Sequence, residues 1–402
     1  MLFLKSIYCR IFQNVFRVIL PLLPYRQPQI INSCERIDNI VLKENITSVL
    51  IITDKGIVNN NLLTPVTNAL KSACVDFAIY DKTQPNPTIA NVEDALSVYK
   101  AHNCKGIITI GGGSSMDCAK AVGARVAYPE KSIEKLKGML RVLRATPIII
   151  AIPTTAGTGS ETTLAAVITD SVNHHKYALM SFPLIPRYAV LDPALTYTLP
   201  AHLTATTGMD ALTHAVEAYI GKSTTKETRK LCLEATKLIF ENITEAYNDG
   251  KNKCARENML LASFKAGAAF TQSYVGYIHA IAHSLGGQYN MPHGLANAVI
   301  MPYVLKSYGK SAHKKLLELG IAAGVCTSSD TIEKGAEKFI SAIEKLNRQM
   351  DIPKKLKGIK EEDIPLMASY AEKEANPLYP VPKLMTKKEL EVLYYEIADW
   401  ED

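Results

Sequence analysis

The stretch Gly106–Gly123, GIITIGGGSSMDCAKAVG, reads as a strand, a glycine turn and a helix in immediate succession. Ile107 to Ile110 form a short apolar run of β-branched residues, the pattern of a strand buried on both faces. Three glycines follow it, and Ser114, Ser115 and Asp117 then open a helix that is expected to end near Gly123. Glycine allows close backbone approach, and the N–H groups that begin a helix have no partners within it, so the junction suits a bound anion such as a pyrophosphate. A tight turn with serine capping would show the same residues. The spacing is not GxGxxG, so the usual dinucleotide fingerprint is absent.

Working outward, SVLIITD (48–54), DFAIYD (76–81), TPIIIAIP (146–153) and YAVLDP (188–193) repeat the buried-strand pattern, with helical stretches between most of them. Alternation of this kind predicts a doubly wound parallel sheet, a Rossmann-like α/β domain over residues 25–195. A second glycine-threonine junction, IPTTAGTGSE, follows the 146–153 strand and brings Thr154, Thr155 and Thr158 to the strand end. Two such loops at consecutive strand ends lie where open α/β sheets bind ligands. VITDSVNHHKYALMS (167–181) reads as a hairpin, with His174 and His175 expected on its exposed tip.

From Thr196 the strand pattern gives way to long Ala/Leu/Lys/Glu-rich runs, which predict an all-α domain over residues 196–402. Within it, GMDALTHAVEAY places Asp210 and His214 one helical turn apart, and YIHAIAHSLGG does the same for His279 and His283. His293 follows in the turn-like MPHG. Carboxylate and imidazole donors without thiolate suit Fe(II), Zn(II) or a neighbouring divalent ion. Five candidates compete for about four positions, and a catalytic metal must keep one position open. Glu217, three residues after His214, could cap, pair or support a ligand. Phe270 and Tyr274 could wall a pocket or belong to the core.

The runs LDPALTYTLPAHLTATTGMDALTHAVE (191–217) and GYIHAIAHSLGGQYNMPHGLA (276–296) closely resemble signatures of the iron-containing (group III) alcohol dehydrogenases. The resemblance extends from about Pro28 to the C-terminus. It implies a dehydroquinate synthase-like α/β domain followed by a helical metal domain, with the metal held by Asp210, His214, His279 and His293. It also implies that His283 is not a ligand but lies near nicotinamide and substrate. Gly112, Gly113, Ser114, Asp117, Thr154, Thr155 and Thr158 match NAD(P)-contacting motifs, as do Asn86 in PNPT (85–88) and Lys176. Asp54, at the end of SVLIITD, matches a residue facing the adenosine ribose in members that prefer NAD. Capping of the following helix, GIVNNNLL, is the other reading of that residue.

The expected activity is NAD(H)- and metal-dependent oxidation of small primary alcohols or diols, or the reverse reduction of aldehydes. The alternatives are a polyol or hydroxy-acid dehydrogenase, a dehydroquinate synthase-type lyase, and a scaffold without catalysis. The lyase would need Lys and Arg around an acidic substrate, and 276–296 has neither. Fe(2+), or Zn(2+) in its place, and NAD are the implied cofactors, and a homodimer or larger homo-oligomer is the expected assembly.

Composition agrees with a globular enzyme: 402 residues, 47% hydrophobic and 21% charged, with a mild net charge of +6. The basic residues are scattered, which argues against nucleic acid. Eight cysteines without a CxxC pair read as reduced thiols of a cytoplasmic chain. Residues 1–24 stand apart. Leu4, Ile7/Tyr8, Ile11/Phe12, Val15/Phe16, Ile19 and Leu22/Leu23 recur at helical spacing, interrupted by Lys5, Arg10, Gln13, Asn14 and Arg17. An amphipathic helix ended by Pro21 and Pro24 is expected, packed on its own domain, on a partner subunit or against a membrane surface.

Overall fold

The computed structural model describes residues 2–19, 22–171 and 175–400. In chain order its main elements are α1 (Leu2–Ile19), β1 (Gln29–Ile31), α2 (Ile37–Lys43), β2 (Ser48–Ile52), α3 (Lys55–Asn59), α4 (Thr64–Ser72), β3 (Asp76–Tyr80), α5 (Ile89–Ala101), β4 (Gly106–Gly111) and α6 (Gly113–Ala127). Strands β5 (Gly138–Met139), β6 (Ile148–Pro153), β7 (Ala165–Asp170), β8 (His175–Met180) and β9 (Tyr188–Val190) follow. The remainder is helical: α7 (Ala201–Ile220), α8 (Lys226–Asn248), α9 (Lys253–Ser273), α10 (Tyr277–Tyr289), α11 (His293–Tyr308), α12 (Lys310–Ala322), α13 (Ile332–Gln349), α14 (Ile364–Ala375) and α15 (Lys387–Ile397). Two compact units result, Pro24–Leu199 and Pro200–Asp402 together with Met1–Leu23.

The first unit is built on a six-stranded parallel sheet of order β1-β9-β6-β4-β2-β3. Its strands read as unbroken apolar runs because both faces are covered. Leu50, Ile52, Ile107 and Ile149 pack with α5 and α6 on one face, whereas Val49, Ile51, Ile108 and Ile150 pack with α2 and α4 on the other. Each buried Ile or Leu contributes roughly 1.5–3 kcal/mol, and a one-residue slip would send every one to the opposite layer. Sequence periodicity missed β1, a three-residue edge strand too short to show it. Helix α6 runs past Gly123 to Ala127, since Ala124 still faces the core. The hairpin is present as antiparallel β7 and β8; His174 lies outside the described residues.

In the second unit α7, α8 and α9 pack through small residues, with Ala215, Ala235 and Ala266 in mutual contact. Among the described residues no named strand occurs after Val190. Among its described side chains, helix α1 joins this unit through the buried Cys9 and Gln13 and the half-buried Arg10 and Phe12. Arg10 donates to the carbonyls of Val381 (2.8 Å) and Pro382 (3.1 Å), and Gln13 donates to those of Tyr379 (2.7 Å) and Pro377 (3.2 Å). The reason is local: NPLYPVP (376–382) contains three prolines, forms no ladder, and leaves carbonyls that need donors. Pro21, expected to end α1, lies outside the described residues.

Candidate functional site: a metal centre and a nucleotide cradle

Helices α7, α10 and α11 place three donors around one point in the helical unit. Oδ1 of Asp210 lies 3.9 Å from His279 Nε2 and 3.6 Å from His293 Nε2, and ligand atoms of all three fall within 4.8 Å of one another. Asp210 and His279 are buried, and His293 opens α11 half-buried. The amide of Asn297, one turn after His293, points into the same space. Its Nδ2 donates to Asp210 Oδ1 at 2.7 Å and lies 3.1 Å from His293 Nε2 and 3.3 Å from His279 Nε2. An NH₂ group has two hydrogens and faces three acceptors, while Asn297 Oδ1 is itself buried without a partner. The pocket therefore has more acceptors than donors. Burial holds His279 well below its usual pKa and His293 down to about 4, so both rings are neutral and present lone pairs. A divalent cation fits this donor set.

His279 is aimed from behind. Glu217, buried on α7, accepts from His279 Nδ1 at 2.6 Å and from the backbone N–H groups of Gly276 (2.9 Å) and Ile278 (2.8 Å). One carboxylate thus caps α10 and fixes the tautomer that leaves Nε2 facing Asp210. A Cβ at Gly276 would stand 2.7 Å from Glu217 Oε1, so the approach requires glycine. Burial raises the Glu217 pKa to about 7, against the backbone N–H groups of Gly276, Ile278 and His279 that lower it.

Of the other sequence candidates, His214 stacks between Phe270 (ring centroids 4.1 Å apart) and His279 (4.6 Å). It is not one of the three residues whose ligand atoms converge. His283, exposed, stacks on His293 at 5.2 Å. Its Nδ1 lies 2.6 Å from Glu374 Oε1, which also accepts from Tyr379 Oη at 2.7 Å. Desolvation of the ring lowers the His283 pKa, but the Glu374 carboxylate outweighs it and holds the pKa above its usual value. Tyr274 ends α9 at φ +63°, a sparsely populated conformation for a bulky residue, with its ring 6.5 Å from that of Tyr379. Sequence reading missed Glu374 and Asn297. Asn297 could have been found one turn after His293; Glu374 lies 91 residues from its partner and carries no local signal.

In the α/β unit the glycine and threonine loops meet at the ends of the adjacent strands β4 and β6, where Thr154 N donates to the Gly111 carbonyl. Gly111 has φ +149°, and a Cβ there would lie 2.6 Å from Ser115 Oγ, so no other residue fits. Gly112 caps α6 without a side-chain hydrogen bond, which leaves the first N–H groups of that helix to the loop space. Ordinary van der Waals distances would separate a Cβ on Gly112 from Thr155, and Thr158 packs over Gly113. Ser114 Oγ accepts from Asn86 N, and Thr88 bridges Thr169 on β7, whose register partner is Lys176 on β8. Gly112, Gly113, Ser114, Thr154, Thr155 and Thr158 thus gather at the C-terminal ends of β4 and β6 with Asn86 bonded to Ser114, while Lys176 lies on β8 of the separate three-stranded sheet.

Two acids are engaged within the protein. Asp54 caps α3 through Oδ1, accepting from Ile57 N, while Oδ2 accepts from Ser115 Oγ at 3.4 Å. Asp117 accepts from Ser160 Oγ and Val167 N, both at 3.2 Å. Beside it the fully buried Lys120 donates to Ser160 O, Ser160 Oγ, Thr163 Oγ1 and Ala165 O at 2.6–3.0 Å. Together they brace the second loop against α6.

Residues 29–193 match the family described as iron-containing alcohol dehydrogenase, and residues 204–398 match its C-terminal domain. A 1,3-propanediol dehydrogenase of Klebsiella pneumoniae is 38% identical over 349 residues, covering 86% of this chain and 90% of that protein. The solved structure of a 1,3-propanediol oxidoreductase superposes with a TM-score of 0.89 at 35% identity, covering 93% and 99% of the two chains. A sulfoacetaldehyde reductase from Bifidobacterium kashiwanohense, solved with NAD+, gives 0.84 at 28% identity over 94% and 99%. With its acceptor-lined pocket and glycine-rich strand ends, the chain belongs to the iron-containing alcohol dehydrogenase family and is an oxidoreductase acting on alcohols and aldehydes.

Proposed function

We propose that the chain interconverts small primary alcohols or diols with their aldehydes, using NAD(H) and Fe(2+), with Zn(2+) as the substitute ion. The observation that carries this reading is the convergence of Asp210 Oδ1, His279 Nε2 and His293 Nε2 on one point; His214, stacked on His279, would join them as a fourth donor by turning its ring. An ion held there would supply Lewis-acid polarisation of the substrate oxygen, and a bound nicotinamide would supply the hydride acceptor. Glu217 keeps the His279 lone pair aimed at the ion. His283 gives its Nδ1–H to Glu374, which leaves Nε2 to take the hydroxyl proton.

The α6 N-terminus with Gly112, Gly113 and Ser114 would bind the pyrophosphate, flanked by Thr154, Thr155, Thr158, Asn86 and Lys176. Asp54 would meet the adenosine ribose and disfavour a 2′-phosphate, whereas Asp117 would act by bracing the loop. Eight free cysteines agree with a reducing cytoplasm, and we assign the enzyme to a homodimer or larger homo-oligomer. Purified protein loaded with ferrous iron should oxidise NADH in the presence of butanal or lactaldehyde, with iron content tracking activity. Iron-loaded protein that turns over no short aldehyde with NADH would overturn the reading.

A further inference from the structure

Helix α1 precedes the family match, which begins at residue 29, so nothing about the alcohol dehydrogenase site accounts for it. Its docking side is fixed by Cys9, Arg10 and Gln13, two of which make the four hydrogen bonds to carbonyls of 377–382. The opposite side carries Ile7, Tyr8, Ile11, Val15, Val18 and Ile19, all exposed, from 40% at Ile7 to 70% at Val18. At about 100° per residue these six fall within an arc of roughly 120°. An apolar stripe of this width ordinarily faces a core, and here it faces outward.

We infer that the exposed face of α1 lies in the interface of an anionic lipid membrane. Charge selects this occupant. The helix carries Lys5, Arg10 and Arg17 and no acid, and the first acidic residue of the chain is Glu35. Arg10 is bound to the carbonyls of Val381 and Pro382, and Arg17 stays exposed, so with no acid on the helix the segment is purely cationic and matches an anionic headgroup layer that accepts the apolar stripe below it. The helix lies on the membrane and does not cross it: no helix among the described residues is long and apolar enough to span. The hydrogen bonds at Arg10 and Gln13 hold the stripe outward, so no refolding is needed before it inserts.

The test is co-sedimentation of the full chain with vesicles of phosphatidylcholine alone or phosphatidylcholine with phosphatidylglycerol. Wild type should pellet with the anionic vesicles, remain in solution with the neutral ones, and be released by high salt. Ile11→Asp/Val18→Asp should lose vesicle binding at least about ten-fold while keeping its alcohol dehydrogenase activity. Arg17→Glu, a change at an exposed charge, should weaken binding roughly ten-fold and serves if the double variant folds poorly. Wild type that ignores anionic vesicles, or binds neutral ones equally, would overturn the inference. So would an Ile11→Asp/Val18→Asp protein that changes oligomer size but not vesicle binding, since the stripe would then be covered by a second copy.

Discussion

Glu217 Oε2 lies 2.6 Å from His279 Nδ1, and the same carboxylate caps the helix on which His279 sits. The two roles separate by substitution. Glu217→Gln keeps the size and an acceptor but loses the charge that raises imidazole basicity, so ferrous affinity should fall about 10–100-fold. Glu217→Ala should in addition cost about 1–3 kcal/mol through three unpaired buried N–H groups. Chelator competition measures the first effect and thermal unfolding the second. Unchanged iron affinity in Glu217→Gln would show that the carboxylate only caps.

The donor set and the proton-handling residue are distinguishable by metal content. His293→Ala should lose iron and activity together. His283→Ala should keep iron and lose about 10²–10⁴ in kcat. Glu374→Gln, which removes the charge at His283 Nδ1, should keep iron and lower kcat more than it raises the KM for aldehyde. An emptied site in His283→Ala with a loaded one in His293→Ala would reverse the assignment.

These two carboxylates mark the limit of what the chain discloses before folding. Apart from β1, the sheet was legible because its strands are isolated apolar runs rich in β-branched residues; i,i+4 spacing gave the metal candidates only as pairs, and of each pair one member, Asp210 or His279, converges with His293. Glu217 was visible for the same reason, being one turn beyond His214. Glu374 was not, since it reaches His283 only through the packing of α14 on α10, and YAEKEA reads as any solvated helix. The burial of Lys120 was equally hidden: its acceptors lie 40 to 45 residues away in a loop and strand that close over α6. For α1 the periodicity showed the apolar face correctly but not that Arg10 and Gln13 would dock, because the acceptors are carbonyls freed by distant prolines.

Asp54 caps α3 through Oδ1 and accepts from Ser115 Oγ through Oδ2, and the proposed function sets it beside the adenosine ribose as well. Asp54→Gly preserves most of the capping, at a cost of only a few tenths of a kcal/mol. It removes the negative charge that would oppose a 2′-phosphate, an effect of roughly 1–4 kcal/mol at intermediate dielectric. The kcat/KM for NADPH should therefore rise by about ten-fold or more while the melting temperature barely moves. A lowered melting temperature with an unchanged cofactor ratio would leave Asp54 as a cap alone.

Glu161 supplies a pH dependence away from the metal. It is buried beside Lys120, and desolvation raises its pKa from 4.5 to about 7 against the pull of the lysine. The folded state thus binds its proton more tightly than the unfolded chain does. Its contribution is fully present below pH 4.5 and is lost as pH rises through 7. Glu161→Gln is neutral at every pH and cannot lose it. The variant should gain on wild type by about 1–3 kcal/mol between pH 4.5 and pH 8, read as the difference between their unfolding free energies in denaturant. Lys120 has the opposite sign: burial lowers its pKa from 10.5 to about 8, so its own contribution grows from pH 8 to 10.5 and does not mask the effect. Parallel stability curves for the two proteins from pH 4.5 to 8 would show that Glu161 stays ionised in the fold, held by Lys120 more strongly than burial opposes it.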